Sequence, residues 1–225
     1  MPDNSPWPIP PHVQVRDFLP SETHQRLLQW VLGREDHFSA ATIVNQGSGT
    51  RDIVDSEFRT GMVSRDLGPF QALLEGRLRA ALPALANAAG VTGLESASIE
   101  LELAAHGDGA HYNAHLDIPV GPGRRPVGAE RGQDRVLSAV YYFHDEPKGF
   151  SGGELRLFRL NIRPGNAAQA TAGDYVDIPP IQNSLVAFPS WAAHEVRTVH
   201  CPSRQFRDYR FALNCWFCRP LGASA

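Results

Sequence analysis

The run His111-Tyr112-Asn113-Ala114-His115-Leu116-Asp117 concentrates side chains that bind metals. Residues i and i+2 of an extended strand share a face. On that geometry the His115 imidazole and the Asp117 carboxylate project side by side, as two adjacent ligands of one ion. A third ligand is expected from Phe188-Pro189-Ser190-Trp191-Ala192-Ala193-His194-Glu195-Val196, where His194 stands at what reads as a buried strand end. Two imidazoles and one carboxylate on one face of an octahedron leave three positions open to other ligands. Imidazole and carboxylate suit Fe, Mn, Ni and Zn alike, so a second feature must choose among them.

That feature is Arg210. It opens the alternating run Arg210-Phe211-Ala212-Leu213-Asn214-Cys215-Trp216-Phe217, sixteen residues beyond His194. A guanidinium inside a barrel mouth is costly unless an anion meets it, and its planar fork binds a carboxylate through two parallel hydrogen bonds. Tyr142 can donate a phenolic hydrogen bond to the same carboxylate. A dicarboxylic 2-oxo acid fits this arrangement. Its 2-oxo and neighbouring carboxylate oxygens would chelate the metal while its distal carboxylate reaches Arg210.

Several elements must position these residues. Residues 13–19 predict a short strand. Pro20-Ser21-Glu22 starts a helix with Ser21 as N-cap and Gly33 as its end. Residues 37–66 are mixed, with strand-like pieces at 41–44 and 60–63. A longer helix is expected over 69–89, because Phe70, Leu73, Leu74, Leu78, Leu82 and Leu85 fall at helical spacing; Pro83 predicts a kink or break within it. From residue 96 onward short β-type segments alternate with Gly/Pro-rich loops: 98–104, 137–143, 152–158, 175–178, 183–188, 194–199 and 210–217. Many short strands after a helical start predict a mainly β fold, a sandwich or barrel with helices packed on one sheet.

Composition bounds the rest. A chain of 225 residues supports one sizeable core and is short for two. A net charge of −3 and the lack of long basic runs argue against a nucleic-acid surface. Three cysteines without framework spacing suggest a reducing cytoplasm. The N-terminus lacks a signal-peptide profile, and no apolar run approaches the ~18 residues a membrane span needs. The expectation is a cytoplasmic protein with no membrane partner.

Four motifs in order carry a family resemblance: His115-x-Asp117; Ser151-Gly152-Gly153-Glu154-Leu155; Pro189…His194-Glu195-Val196; and Arg210-Phe211-Ala212-Leu213-x-x-Trp216-Phe217. Together with Ala139-Val140-Tyr141-Tyr142-Phe143, they resemble the Fe(II)- and 2-oxoglutarate-dependent dioxygenases, nearest to their prolyl 4-hydroxylase-like branch. The resemblance covers residues 96–218. It implies a double-stranded β-helix (jelly-roll, cupin-like) core over 96–220, supported by a helical and substrate-side segment over 1–95, in one domain. His115, Asp117 and His194 would bind Fe(II) and Arg210 the distal carboxylate of 2-oxoglutarate. Tyr142 and Leu155 would line the cosubstrate pocket, with Trp216 near the metal. The implied activity is hydroxylation of a C–H bond of an amino-acid-like small molecule or of a prolyl or other peptidyl residue. It consumes O₂ and 2-oxoglutarate, yields succinate and CO₂, and takes ascorbate as an optional reductant. Asp117 argues for hydroxylation, since halogenating relatives have a small residue there. One departure stands out: the family commonly places its arginine about ten residues after the distal histidine, where Arg204 lies, so Arg204 and Arg207 rival Arg210.

Plainer readings stand beside these. His106 and His111 are nearby rivals of these ligands, and His111 reads either as approaching the substrate side or as a solvated loop histidine. Cys215-x-x-Cys218 invites zinc, but residues three apart in a strand face opposite ways. Gly152-Gly153 reads as a strand entry needing backbone freedom. Arg59 reads equally as a substrate contact or a surface arginine, and 121–132 as a lid or a passive loop. A jelly-roll metal-binding or sensing module without turnover is the alternative function. An oxygenase acting on nucleic acid is disfavoured by charge.

Overall fold

The computed structural model describes residues 8–42, 54–118, 133–159 and 175–220. In chain order it places strand β1 (Val13–Val15), helix α1 (Ser21–Leu32), strands β2 (Ser39–Ala40), β3 (Arg59–Thr60) and β4 (Met62–Ser64), and helix α2 (Gln71–Ala89). There follow β5 (Ser98–His106), β6 (His111–His115), β7 (Gln133–Phe143), β8 (Ser151–Gly152), β9 (Leu155–Phe158), β10 (Tyr175–Ile178), β11 (Ser184–Pro189), β12 (His194–Val196), β13 (Val199–His200) and β14 (Arg210–Pro220).

The strands form a seven-stranded sheet, β1-β11-β7-β14-β5-β4-β2, and a five-stranded sheet, β10-β9-β12-β6-β3, with β13-β8 as a small ribbon. All pairings are antiparallel. The expected mainly β jelly-roll architecture is what the chain adopts.

Strand alternation decides which residues see which layer. On the large sheet Leu101, Leu103, Leu137, Tyr141, Phe143, Phe211, Leu213, Cys215 and Phe217 point one way, into a core shared with Leu27, Leu28 and Val31 of α1 and Leu74, Leu78, Leu82 and Leu85 of α2. Each of these buried side chains contributes roughly 1.5–3 kcal/mol relative to exposure. The intervening residues point into the jelly roll, where Tyr142, Val186, Phe188 and Ala212 meet Leu155, Leu157 and Ile178 of the small sheet.

Strand register sorts this inner face into rows across the sheet. His106 stands opposite Arg210; Ala104, Ala212, Tyr142 and Ser184 form the next row; then Glu102, Asn214, Val140 and Val186; then Glu100, Trp216, Ser138 and Phe188.

Two local expectations change. Ser21 is the first residue of α1 and makes no capping bond; Pro20 is the cap, and its carbonyl accepts the His24 N–H at 2.9 Å. Pro83 lies inside α2 without ending it. Its ring is on the exposed side, while Leu82, Leu85 and Ala86 stay packed in the core. Tertiary packing therefore overrides the local breaker. The strands expected near 13–19 and 60–63 are present, and they join the sheets: β1, β2 and β4 extend the large sheet and β3 the small one. The expected strand at 41–44 lies partly, and the lid-or-loop at 121–132 wholly, outside the described residues. Among the described residues no helix is long and apolar enough to cross a membrane.

Candidate active site

The two histidines meet because β6 and β12 are neighbours in the small sheet, with His115 directly opposite His194. Their ring centroids lie 4.2 Å apart. Asp117 is not on the strand, as the i, i+2 reasoning assumed; it lies two residues past the end of β6, in a bend. Its backbone N–H donates to the Ser190 carbonyl at 3.1 Å, which folds it back beside the histidines. Asp117 Oδ1 is then 3.8 Å from His115 Nε2, and Oδ2 is 3.7 Å from His194 Nε2. One ligand atom from each residue lies within 4.8 Å of the other two, and among the described residues this is the one such cluster of three.

Both imidazoles are oriented alike. His115 Nδ1 lies 2.8 Å from the Asn113 carbonyl and His194 Nδ1 lies 2.9 Å from the Ala192 carbonyl. A carbonyl only accepts, so Nδ1 carries the proton and the Nε2 lone pairs face the gap between the ligands. Burial, then the neighbouring His194, hold the His115 pKa down, which keeps that ring neutral. Burial opposes charge on Asp117, but the two histidines, Arg135 and a hydrogen bond from Ser138 keep its carboxyl pKa below the usual range. Ser138 Oγ donates to Asp117 Oδ2 at 2.6 Å and so takes the Ser190 hydroxyl, 2.9 Å away, as its own donor.

Two arginine–aromatic stacks flank the triad. Tyr112 stacks on His115 with centroids 3.6 Å apart and planes 18° apart. Over Tyr112 sits the Arg59 guanidinium, 4.8 Å from the ring and hydrogen-bonded to buried Glu102 at 3.1 Å. Arg59 is thus not a plain surface arginine; its guanidinium is held by Glu102 and by the Thr42 carbonyl. On the other flank Arg135 lies 3.9 Å from the Trp216 ring and donates twice to Glu100 Oε2. Trp216 is paired in register with Ser138, the partner of Asp117.

Arg210 is 1% exposed. Its Nε donates to the Gly153 carbonyl at 2.8 Å and its Nη1 to His106 Nδ1 at 3.1 Å. Gly152 and Gly153 both have φ of +71°, in the left-handed region that favours glycine. A Cβ on Gly153 would come within 2.5 Å of Arg210 Cδ, so the arginine needs that glycine. Arg210 Cζ lies 4.9 Å from the Tyr142 ring, and Leu155 packs against the same tyrosine. The rivals are elsewhere: Arg204 pairs with Asp108 and Arg207 with Asp145, with side chains 78% and 64% exposed.

This interior fits a carboxylate. The Tyr142 hydroxyl is fully buried with no hydrogen-bond partner among the described residues. Next to it, Arg210 forms no ion pair with any described carboxylate; burial disfavours its charge, which the Tyr142 hydroxyl and the more distant Glu154 support. A buried phenol facing a buried guanidinium with no carboxylate against it is the environment an anion would complete.

The remaining candidates separate. His106 is bound to Arg210 and His111 to backbone carbonyls at the start of β6, so neither joins the triad. Cys215 faces the helix-side core and Cys218 follows a register shift. Burial pushes the first thiol well up and the second up to about 12, and among the described residues neither cysteine belongs to a cluster of three metal-binding groups. Sequence reasoning missed Ser138 and the partnership of His106 with Arg210. For Ser138 the available signal was a lone hydroxyl in the apolar run Leu137-Ser138-Ala139-Val140.

Comparison with known proteins gives consistent results. A family model described as the 2OG-Fe(II) oxygenase superfamily matches residues 101–218. An uncharacterised PKHD-type hydroxylase of Synechocystis is 32% identical over 205 residues, covering 90% of this chain. The chain spans 61% of the length of that relative. A Pseudomonas putida prolyl-4-hydroxylase structure is 25% identical with a TM-score of 0.59, covering 92% of each chain. A Trichoplax adhaerens prolyl hydroxylase, solved with a hypoxia inducible factor peptide fragment, has a TM-score of 0.60 at 20% identity, covering 92% of this chain and 83% of its own.

Proposed function

The chain belongs to the 2OG-Fe(II) oxygenase superfamily, and on that premise we propose that it is an Fe(II)- and 2-oxoglutarate-dependent hydroxylase. Its substrate is a prolyl or other peptidyl residue, or an amino-acid-like small molecule, and 2-oxoglutarate leaves as succinate and CO₂. One observation carries the reading. Three ligand atoms converge within 4.8 Å, and a buried arginine without a described ion-pair partner shares the same interior.

In this mechanism His115 Nε2, His194 Nε2 and the Asp117 carboxylate hold the iron. Bound iron with 2-oxoglutarate and O₂ supplies the oxidising power for C–H cleavage. Arg210 and Tyr142 hold the distal carboxylate, and Leu155 closes the pocket on the apolar side. Ser138 fixes the Asp117 carboxylate and Tyr112 the plane of the His115 ring. Burial excludes water from these contacts and strengthens them. The Arg59–Tyr112 and Arg135–Trp216 stacks form the walls that a substrate passes. The free, buried cysteines suit a reducing compartment such as the cytoplasm.

Anaerobic titration of the Fe(II) protein with 2-oxoglutarate tests the reading: a visible charge-transfer band should grow. Proline-containing peptides and free amino acids are then added in turn, and the true substrate shifts the band and couples succinate formation to its own oxidation. Absence of anaerobic iron binding would overturn the assignment. Metal binding with no 2-oxoglutarate affinity would instead establish the non-catalytic module.

A further inference from the structure

We propose that His106 is a positioning residue for the cosubstrate: a neutral acceptor that orients the Arg210 guanidinium while leaving its charge for the distal carboxylate of 2-oxoglutarate. The inference rests on the function proposed above and deepens it.

An arginine side chain only donates hydrogen bonds. The 3.1 Å contact between Arg210 Nη1 and His106 Nδ1 therefore requires a lone pair on Nδ1 and places the ring proton on Nε2. The imidazole is neutral. It sits at the end of β5 directly opposite Arg210, 5% exposed, with Gly61 against its ring: a Cβ there would come within 3.3 Å of His106 Cδ2. The surroundings enforce neutrality. Burial first, then the charges of Arg210 and Arg59 and the nearby His111, hold the His106 pKa well below its ordinary value, against an opposing contact with the Arg210 backbone.

Neutrality is the point of the choice. The Gly153 carbonyl and His106, which both accept from Arg210, fix its direction without cancelling its charge. A carboxylate at position 106 would form an internal buried ion pair and compete with the incoming anion. An apolar residue would leave a buried donor unpaired and the guanidinium free to turn.

Three variants test this: His106→Gln, His106→Leu and His106→Asp. The readouts are 2-oxoglutarate affinity, by anaerobic Fe(II) absorbance and by calorimetry on the Mn(II) protein, and the Tm of metal-free protein. His106→Gln keeps a neutral acceptor and should bind 2-oxoglutarate within about fivefold of the parent. His106→Asp should bind at least about 30-fold more weakly, with unchanged Mn(II) affinity and a Tm no lower than that of His106→Gln. A merely structural histidine would instead lower Tm in both variants and leave affinity alone. His106→Leu should fall about tenfold in affinity, and it decides the matter if the aspartate variant fails to fold. Parent-like affinity in His106→Asp or His106→Leu, or equal losses in His106→Gln and His106→Asp, would overturn the inference. A parent that binds no 2-oxoglutarate overturns the proposed function and this inference together.

Discussion

Replacing Ser138 by alanine should weaken metal binding without touching a ligand. The hydroxyl donates to Asp117 Oδ2 at 2.6 Å, and that same oxygen is the one 3.7 Å from His194 Nε2. Without the donor, the carboxylate loses its main constraint against turning and part of what holds it ionised in a buried setting. A hydrogen bond to a charged group is worth about 1.5–3 kcal/mol, which converts to roughly 10- to 150-fold in a binding constant. Because a bound cation itself orients the carboxylate, the lower half of that range applies, about 10- to 50-fold. Anaerobic calorimetry with Mn(II) and Fe(II) measures it. Ser190→Ala is the control: it removes a neighbouring hydroxyl but leaves the Ser138–Asp117 bond, so its effect should stay under about threefold. If Ser138→Ala binds metal as tightly as the parent, or if the two variants lose affinity equally, the assigned role of Ser138 is wrong.

Other outcomes follow from the same geometry. Gly153→Ala should lose about 1–2 kcal/mol for a left-handed backbone and, by pushing on Arg210, weaken 2-oxoglutarate binding; Gly109→Ala, at φ +77° with nothing within 4 Å of a new Cβ, should show the stability loss alone in thermal melts. Arg210→Ala should raise the KM for 2-oxoglutarate about 30-fold or more, whereas Arg204→Ala and Arg207→Ala, whose ion pairs are solvent-exposed, should leave that KM unchanged. Acid should destabilise the metal-free protein. His24, His106 and His144 have folded pKa values lowered chiefly by burial. Their contribution is therefore complete above the unfolded value of 6.5 and is lost as pH falls below it toward the folded values. Melting temperatures at pH 8, 7, 6 and 5 should be level at first and then drop; a constant Tm down to pH 5 would contradict this.

The parts of the site legible in the sequence are those whose role follows from residue type and local spacing. His115, Asp117 and His194 are picked out by their chemistry and do converge, and Arg210 is picked out by the cost of burying a guanidinium and is buried. Strand alternation in 98–104 and 210–217 predicts the two faces of the large sheet correctly, because period-two patterning survives into packing. What stayed hidden depends on register between distant strands. Nothing near His106 says that it will stand opposite Arg210, 104 residues away. Nor does anything near Ser138 say that a bend will bring Asp117 to its hydroxyl. The helix start failed for a local reason: a preceding proline, already extended at ψ 140°, served as the cap in place of the serine. At Pro83, where a kink or break was expected, the helix runs on unbroken for a global reason: the proline ring is exposed while the opposite face stays packed in the core.

The carbonyls of Asn113 and Ala192 brace their imidazoles from within the backbone, two residues away. A frame held that way is assembled by folding itself, so a chelator should strip the ion and leave the architecture standing, unlike small zinc modules that collapse when emptied. The same rigidity makes the cage a poor judge of its occupant. Cobalt, nickel and zinc outrank ferrous iron at nitrogen and oxygen donors, and a ready-made pocket has no adjustment with which to refuse them. Which element the purified protein carries will therefore report the supply it met rather than a preference of its own.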